Sequence, residues 1–187
     1  WNRTTVTASL GFSGALTLPR VLSLKNGILY QQPVPEIENY RRNPVHTNLT
    51  LEESSQSIAG FNGQSNEIIL NIKNYNAETG VKLFKGTHEE TKVYIKDGFV
   101  YLDRTNGTNG KVPKGEIHNI TRAPLDHNEN EVTLRIFIDK YSVEVFINGG
   151  AQTITSTVFP SEDATGIEFY SLGKAEIDVT GYDLIIR

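Results

Sequence analysis

The sequence predicts an all-β chain, folded as an antiparallel two-sheet β-sandwich of jelly-roll type and preceded by an extended, proline-containing connection. Three observations lead there. Apolar and polar side chains alternate with a period of two over most of the chain, Gly, Asn, Asp and Pro break that alternation every few residues, and helical periodicity is nearly absent. With 187 residues the chain is long enough for a single core that buries most of the apolar surface of the unfolded polymer.

The connection comes first. Pro19, Pro33, Pro35 and Pro44 each remove a backbone donor and push their neighbours toward extended or turn conformations, so residues 1–44 read as a connecting stretch and residues 45–187 as the compact domain. Glu36 to Arg42 is long enough for one helical turn. Alternation then places strands at Glu67–Lys73, Val81–Phe84 and Thr91–Ile95, and Asp97-Gly98 turns the chain into Phe99–Leu102. In the most regular stretch Val132, Leu134, Ile136 and Ile138 point one way and Arg135 the other. Asp139-Lys140 makes a tight turn, and Tyr141, Val143, Val145 and Ile147 form the return strand. Asn148-Gly149-Gly150 supplies residues tolerant of positive φ before a third strand, Ala151–Phe159. Separate strands are expected at Gly166–Leu172, Ala175–Val179 and Tyr182–Ile186. Ten or more short strands at this spacing, with both sheets feeding one core, argue for a sandwich.

Composition narrows the function classes. Basic residues number 18 against 22 acidic ones, for a net charge of -4, and no Lys/Arg run occurs, so no nucleic-acid partner is expected. No stretch approaches the roughly 20 consecutive apolar residues of a membrane helix, and no membrane partner is expected. There is no cysteine, which excludes disulfides and thiolate metal sites. The chain starts at Trp1 without a methionine and contains none, which fits a fragment of a longer polypeptide.

Three stretches carry a family resemblance: Leu16-Thr17-Leu18-Pro19-Arg20 followed by Asn26 to Ile37 and Tyr40-Arg41, then Gly80 to Leu83 with Val100 to Arg104, and finally Leu134 to Gly150. In this order they resemble glycoside hydrolase family 32, at the place where its five-bladed catalytic propeller ends and its C-terminal sandwich begins. Val21 departs from the pattern, which more usually has an acidic residue after Pro-Arg. The resemblance implies a concanavalin-like sandwich over residues 45–187, the end of the propeller and a linker over residues 1–44, and a parent β-fructosidase acting on sucrose or fructans. It also implies what is missing. The family's Asp nucleophile in a Trp-Met-Asn-Asp-Pro-type motif, its Glu acid/base before a Cys and its Arg-Asp-Pro motif have no counterpart here, so the chain alone is expected to be inactive. The expected partner is the upstream propeller of the same polypeptide, with a homodimer left open. The Gly14 to Arg20 form leans toward the family's bacterial sucrose or sucrose-6-phosphate hydrolases and a cytoplasmic location, with secretion as the alternative.

Glycoside hydrolysis needs two carboxyl groups at a set separation, and Asp139 with Glu144 is the tempting pair. The ordinary reading is that Asp139 supports its turn and Glu144 sits on the solvent face of a strand. Asp126-His127-Asn128-Glu129-Asn130 opens like a calcium loop, but Glu131 and Phe137 stand where Gly and a bidentate Glu belong, which leaves a polar surface loop. His46, His88, His118 and His127 have no metal-ligand spacing. Ser142 and Ser156 lie in no nucleophile elbow. The Gly-rich run Asn106 to Lys111 precedes no helix and reads as a hairpin loop, and sequons stand at Asn2, Asn48, Asn106 and Asn119. No catalytic residue, cofactor or metal is therefore assigned, and no substrate-binding residue is identified. A rival reading is a stand-alone carbohydrate-binding module using Tyr75, Tyr94, Tyr101, Tyr141 or Tyr170, although aromatics on strands more commonly pack across the sheet.

Overall fold

The computed structural model describes residues 11–12, 14–107, 119–125 and 131–185. Within them the strands are β1 (Arg20–Lys25), β2 (Ile28–Pro33), β3 (Arg41–Gln56), β4 (Asn66–Lys73), β5 (Thr79–Lys85), β6 (Glu90–Lys96), β7 (Phe99–Asn106), β8 (Ile120–Pro124), β9 (Glu131–Asp139), β10 (Ser142–Ile147), β11 (Gln152–Thr157) and β12 (Gly166–Leu184). A 3₁₀ turn, Pro35–Tyr40, joins β2 to β3, with a proline at its start where the missing N–H costs nothing.

Two long strands make the sandwich. The C-terminal part of β12, Glu176–Asp183, lies between β3 and β4, and the first sheet continues from β4 through β9 and β10 to β11. The N-terminal part of β12, Gly166–Ser171, pairs instead with β5, and the second sheet continues through β6 and β7 to β8. The two parts are separated by an irregularity between Ser171 and Lys174, and on the neighbouring strand Glu53 takes a left-handed φ of 44° at the same level. Both strands therefore bend together as they cross from one sheet into the other, which is how a single ladder folds into two layers.

The inward sides of both layers merge into one core. Ile68, Leu70 and Ile72 of β4 and Val132, Leu134, Ile136 and Ile138 of β9 meet Val81, Leu83, Val93, Ile95, Val100 and Leu102 from the second sheet. The predicted alternation of β9 and β10 is present residue for residue, and their register runs from Ser142↔Asp139 to Ile147↔Leu134. The turn has the predicted support, since the Lys140 N–H donates to the Asp139 carboxylate at 2.8 Å. Asp97 and Gly98 both take positive φ, 48° and 76°, as a two-residue hairpin requires.

Where three strands were expected between residues 166 and 186, one continuous strand runs from Gly166 to Leu184. Its glycines are not turn residues. Gly173 marks the bend just described, and at Gly181 a Cβ would overlap the ring of Phe61, so the missing side chain makes room for a core aromatic. Residues 20–33, expected to be a plain connection, form the β1–β2 hairpin around Asn26-Gly27, both at positive φ.

Gly80 carries another close approach. A Cβ there would stand 2.6 Å from the Cα of Tyr94 and overlap the Val93 carbonyl oxygen, and these are backbone atoms that cannot step aside. Gly80→Ala is expected to cost about 1–3 kcal/mol by overpacking, read as a lower urea midpoint with an unchanged slope.

Candidate functional site

The outer face of the first sheet does not face solvent. Because β9 and β10 alternate, Arg135, Phe137, Glu144 and Phe146 point away from the core, and Glu67 joins them from β4, where its register partner is Phe137. The connecting segment lies across this face. Ile37 of the 3₁₀ turn packs on Phe137 and Phe146, with Leu18 and Leu184 at the margin. The two phenylalanine rings meet edge to face at 5.8 Å.

Two buried carboxylates hold the segment in place. Glu67 is wholly buried and accepts from Arg41 through both Nε and Nη2 at 2.7 Å, a two-pronged grip, and from Arg135 Nε at 2.7 Å. Glu38 on the 3₁₀ turn closes the network through Arg41 Nη1 at 3.0 Å and Arg135 Nη2 at 3.2 Å. The hydrogen bond to Glu67 holds the Arg41 guanidinium above its ordinary pKa against the opposing effect of burial, and its ring neighbour Tyr182 lies 4.5 Å away.

The second carboxylate, Glu144, is 4% exposed. Its Oε1 accepts the Leu18 N–H at 2.7 Å and its Oε2 accepts from Arg20 Nη2 at 2.8 Å. Arg20 also donates to Gln31, Thr153 and Thr155, and its guanidinium lies 5.2 Å from the Phe146 ring centroid. The expectation of Glu144 on a solvent face is thus corrected: alternation gave the right side of the sheet, but the segment around Leu18 and Arg20 covers it. At the far end, Gly150 adopts φ of 90° and a Cβ there would overlap the main chain of Gln31, so the Asn148–Gly150 turn and β2 touch backbone to backbone. Next to that contact lies a cleft of about 360 Å³, lined by Ile28, Tyr30, Leu125, Ile147, Asn148 and Gln152 among others.

This sandwich, strapped by a buried acid pair, can be compared with known proteins. The family described as "Glycosyl hydrolases family 32 C terminal" matches residues 36–183. The chain belongs to this family. Its family 32 match starts at Glu36, so it takes in Glu38, Arg41, Glu67, Arg135 and Glu144, whereas Leu18 and Arg20 precede it. Among relatives, the levanase of Bacillus subtilis (strain 168) is 34% identical over 84% of this chain and 25% of its own length. The sucrose-6-phosphate hydrolase of Staphylococcus xylosus is 28% identical over 93% of this chain and 35% of its own length. The chain therefore spans about a quarter to a third of these relatives. In fold it is similar to the exo-inulinase of Aspergillus awamori, with a TM-score of 0.75 at 22% identity over 90% of this chain and 35% of that one.

The other residues singled out in this family 32 chain are dispersed. Asp139 stays at its turn and both Glu144 oxygens are engaged by the connecting segment, so the two make no joint site. His46 is exposed, with Nδ1 3.1 Å from Thr180 Oγ1, and His88 is exposed. His118, His127 and the Asp126–Asn130 run lie outside the described residues. Ser142 and Ser156 are half-buried, and the sequon asparagines Asn48 and Asn106 are exposed. Among the described residues no three His, Asp or Glu side chains gather as a metal-binding group.

The tyrosines line up on the outer face of the second sheet, where Tyr170, Gly80, Tyr94, Tyr101 and Arg122 are successive cross-strand partners. Tyr94 and Tyr101 stack at 5.0 Å and 9°, which turns their faces toward each other. Burial, aided by Glu78, pushes the Tyr94 hydroxyl up to about 12. Tyr170 is buried, donates to Glu78 at 3.0 Å and is raised further, again chiefly by burial. Tyr141 packs on Phe12 and Phe159, and Tyr75 packs against the core.

Removing the acid at the centre of the strap leaves two guanidinium groups with only the exposed Glu38 to pair with. Glu67→Ala is expected to destabilise by about 3–5 kcal/mol, and pairing it with Arg41→Met is expected to cost clearly less than the sum of the two single changes, as a denaturation cycle would show.

Proposed function

We propose that the chain is the non-catalytic C-terminal sandwich of a β-fructosidase that hydrolyses sucrose or fructans, and that it stabilises and flanks a catalytic domain lying upstream in the same polypeptide. The observation that carries this reading is the exposed apolar surface of the N-terminal segment. Leu16, Leu22, Leu24 and Ile28 are 100%, 61%, 72% and 51% exposed, with Val21 and Leu29 close behind. Apolar residues gathered this densely on a surface mark an interaction site, and a lone two-stranded sheet such as β1–β2 is marginal by itself. The sandwich grips the inner side of this segment through Glu144 and Gly150, and the outer side is free for a partner. Relatives three to four times longer than the matched region support a partner within one polypeptide.

The physical mechanism is linkage. A domain that binds only the folded form of its neighbour raises the neighbour's stability by mass action, and tethering makes the effective concentration high. The substrate class is that of the named relatives, a levanase and a sucrose-6-phosphate hydrolase, and on this reading the hydrolytic carboxylates belong to the upstream part.

Leu24→Asp separates this reading from its alternatives. It is expected to leave the melting temperature of residues 1–187 unchanged, since the side chain touches little there. In the full polypeptide it is expected to destabilise by about 1–3 kcal/mol and lower activity on sucrose. Equal behaviour of both variants and their parents, or release of reducing sugar from sucrose or levan by residues 1–187 alone, would contradict the proposal.

A further inference from the structure

Arg104 is the one fully buried cation among the described residues. Val100, Leu102 and Arg104 lie on one face of β7, so alternation sends the Arg104 side chain inward, at the end of the core, and the residue is 4% exposed. Arg20, Arg41 and Arg135 each rest on a buried glutamate. Among the described residues no carboxylate pairs with Arg104. A guanidinium stays protonated in protein interiors, so its charge has to be offset by a partner.

Its hydrogen bonds are lopsided. Nη1 alone donates to the Thr157 carbonyl oxygen and to Thr157 Oγ1, the latter at 2.9 Å. Nε is buried without a partner. The unused edge, Nε with Nη2, is the one with which Arg41 grips both oxygens of Glu67 in this same protein. It is the edge that matches a carboxylate or phosphate in a two-pronged bond. Burial is the cause of the lowered Arg104 pKa, with no carboxylate acting against it.

Two further buried atoms without partners lie beside it. Thr91 Oγ1 on β6 faces the level between Asp103 and Asn106, and Asn119, whose carbonyl oxygen accepts the Arg104 N–H at 3.0 Å, has an unpaired Oδ1. The Thr91 hydroxyl is a donor, and half a turn of the Asn119 amide presents its Nδ2 as another. Thr157, which accepts from Nη1, is exposed, so the guanidinium lies close to the surface at that end.

We propose that the Nε and Nη2 edge of Arg104, with the Thr91 hydroxyl and the Asn119 amide beside it, is a binding site for a small oxyanion. The bound anion neutralises the one buried guanidinium that the described part of the fold leaves uncompensated, and it ties the end of β7 to β6 and β11. The site lies between the far edges of the two sheets, away from the strap around Glu67, so its occupancy acts on the closure of the sandwich and not on the connecting segment.

Inorganic phosphate is the probe. The 187-residue chain, dialysed free of oxyanions, is titrated by calorimetry with ionic strength held constant by chloride. Saturable heat and a phosphate-dependent rise in melting temperature are expected. Arg104→Gln is expected to abolish both, and Arg104→Lys, which keeps the charge but loses the fork, to weaken binding at least about tenfold. Should Arg104→Gln fail to fold, the titration of the unaltered chain and of Arg104→Lys decides. Absence of saturable phosphate heat in the unaltered chain, or equal binding by Arg104→Lys, would overturn the site.

Discussion

The rest of the structure hangs on the burial of Glu67 against Arg41 and Arg135. A carboxylate with no exposure is tolerable only when both oxygens are occupied, and here three guanidinium hydrogen bonds at 2.7 Å occupy them. Arg135 stands on β9 of the sheet itself, whereas Arg41 opens β3, the strand that follows the connecting segment. The acid therefore couples the place where the chain enters the domain to the middle of the first sheet. Glu144 repeats the device two strands further on, with Arg20 and the Leu18 N–H as its partners. An apolar wedge of Ile37, Phe137 and Phe146 lies with them and keeps water from the ion pairs. Such pairs contribute less to net stability than their Coulomb energy suggests, because desolvation opposes it, but they penalise any alternative placement that leaves the acids uncovered.

That coupling explains why β3 begins where it does. Arg41 is held by Glu67, and Asn43 turns at a positive φ of 48° just beyond it. From there β3 runs beside β12 across the bend at Ser171–Lys174 into the second sheet. Both layers inherit their relative position from these two strands, and the far edges meet where Arg104 reaches Thr157 and the Phe159 N–H reaches Gly107. The sandwich is closed by ladder hydrogen bonds at one side and by the Arg104 side chain with a single main-chain bond at the other.

Much of the fold was legible because strands announce themselves by period. β4, β5, β6, β7, β9, β10 and β11 were read within a few residues, and the Asp97-Gly98 and Asp139-Lys140 turns were read outright. What failed did so for local reasons. Prolines masked the β1–β2 hairpin, although Asn26-Gly27 is a strong hairpin signal, since Pro19 and Pro33 sit at its ends and disturb no ladder bond within it. Gly173 and Gly181 suggested turns where one strand bends and another residue needs space. At the strap, alternation revealed which face Glu144 and Arg135 occupy but not what covers that face, because cover is supplied by residues 97 to 126 positions away. Glu67 carried no signal beyond being an acid at the start of an apolar strand. The family resemblance fared better, since its three stretches are the hairpin, the second-sheet strands and the β9–β10 pair.

If the strap is what fixes the connecting segment, the upstream domain proposed above would be held at a set orientation to the sandwich and not joined by a loose tether. The exposed side of β1–β2 then becomes a rigid surface and not a flexible tail, which suits a permanent contact within one polypeptide. Native-state hydrogen exchange at the Leu18 amide tests this most directly. Leu18 belongs to no strand, and among the described residues its N–H donates to the Glu144 carboxylate alone. This amide is expected to exchange slowly, with an opening free energy approaching that of global unfolding, and Glu144→Gln is expected to speed it sharply. Exchange at the rate of an unstructured peptide in the unaltered chain would contradict it.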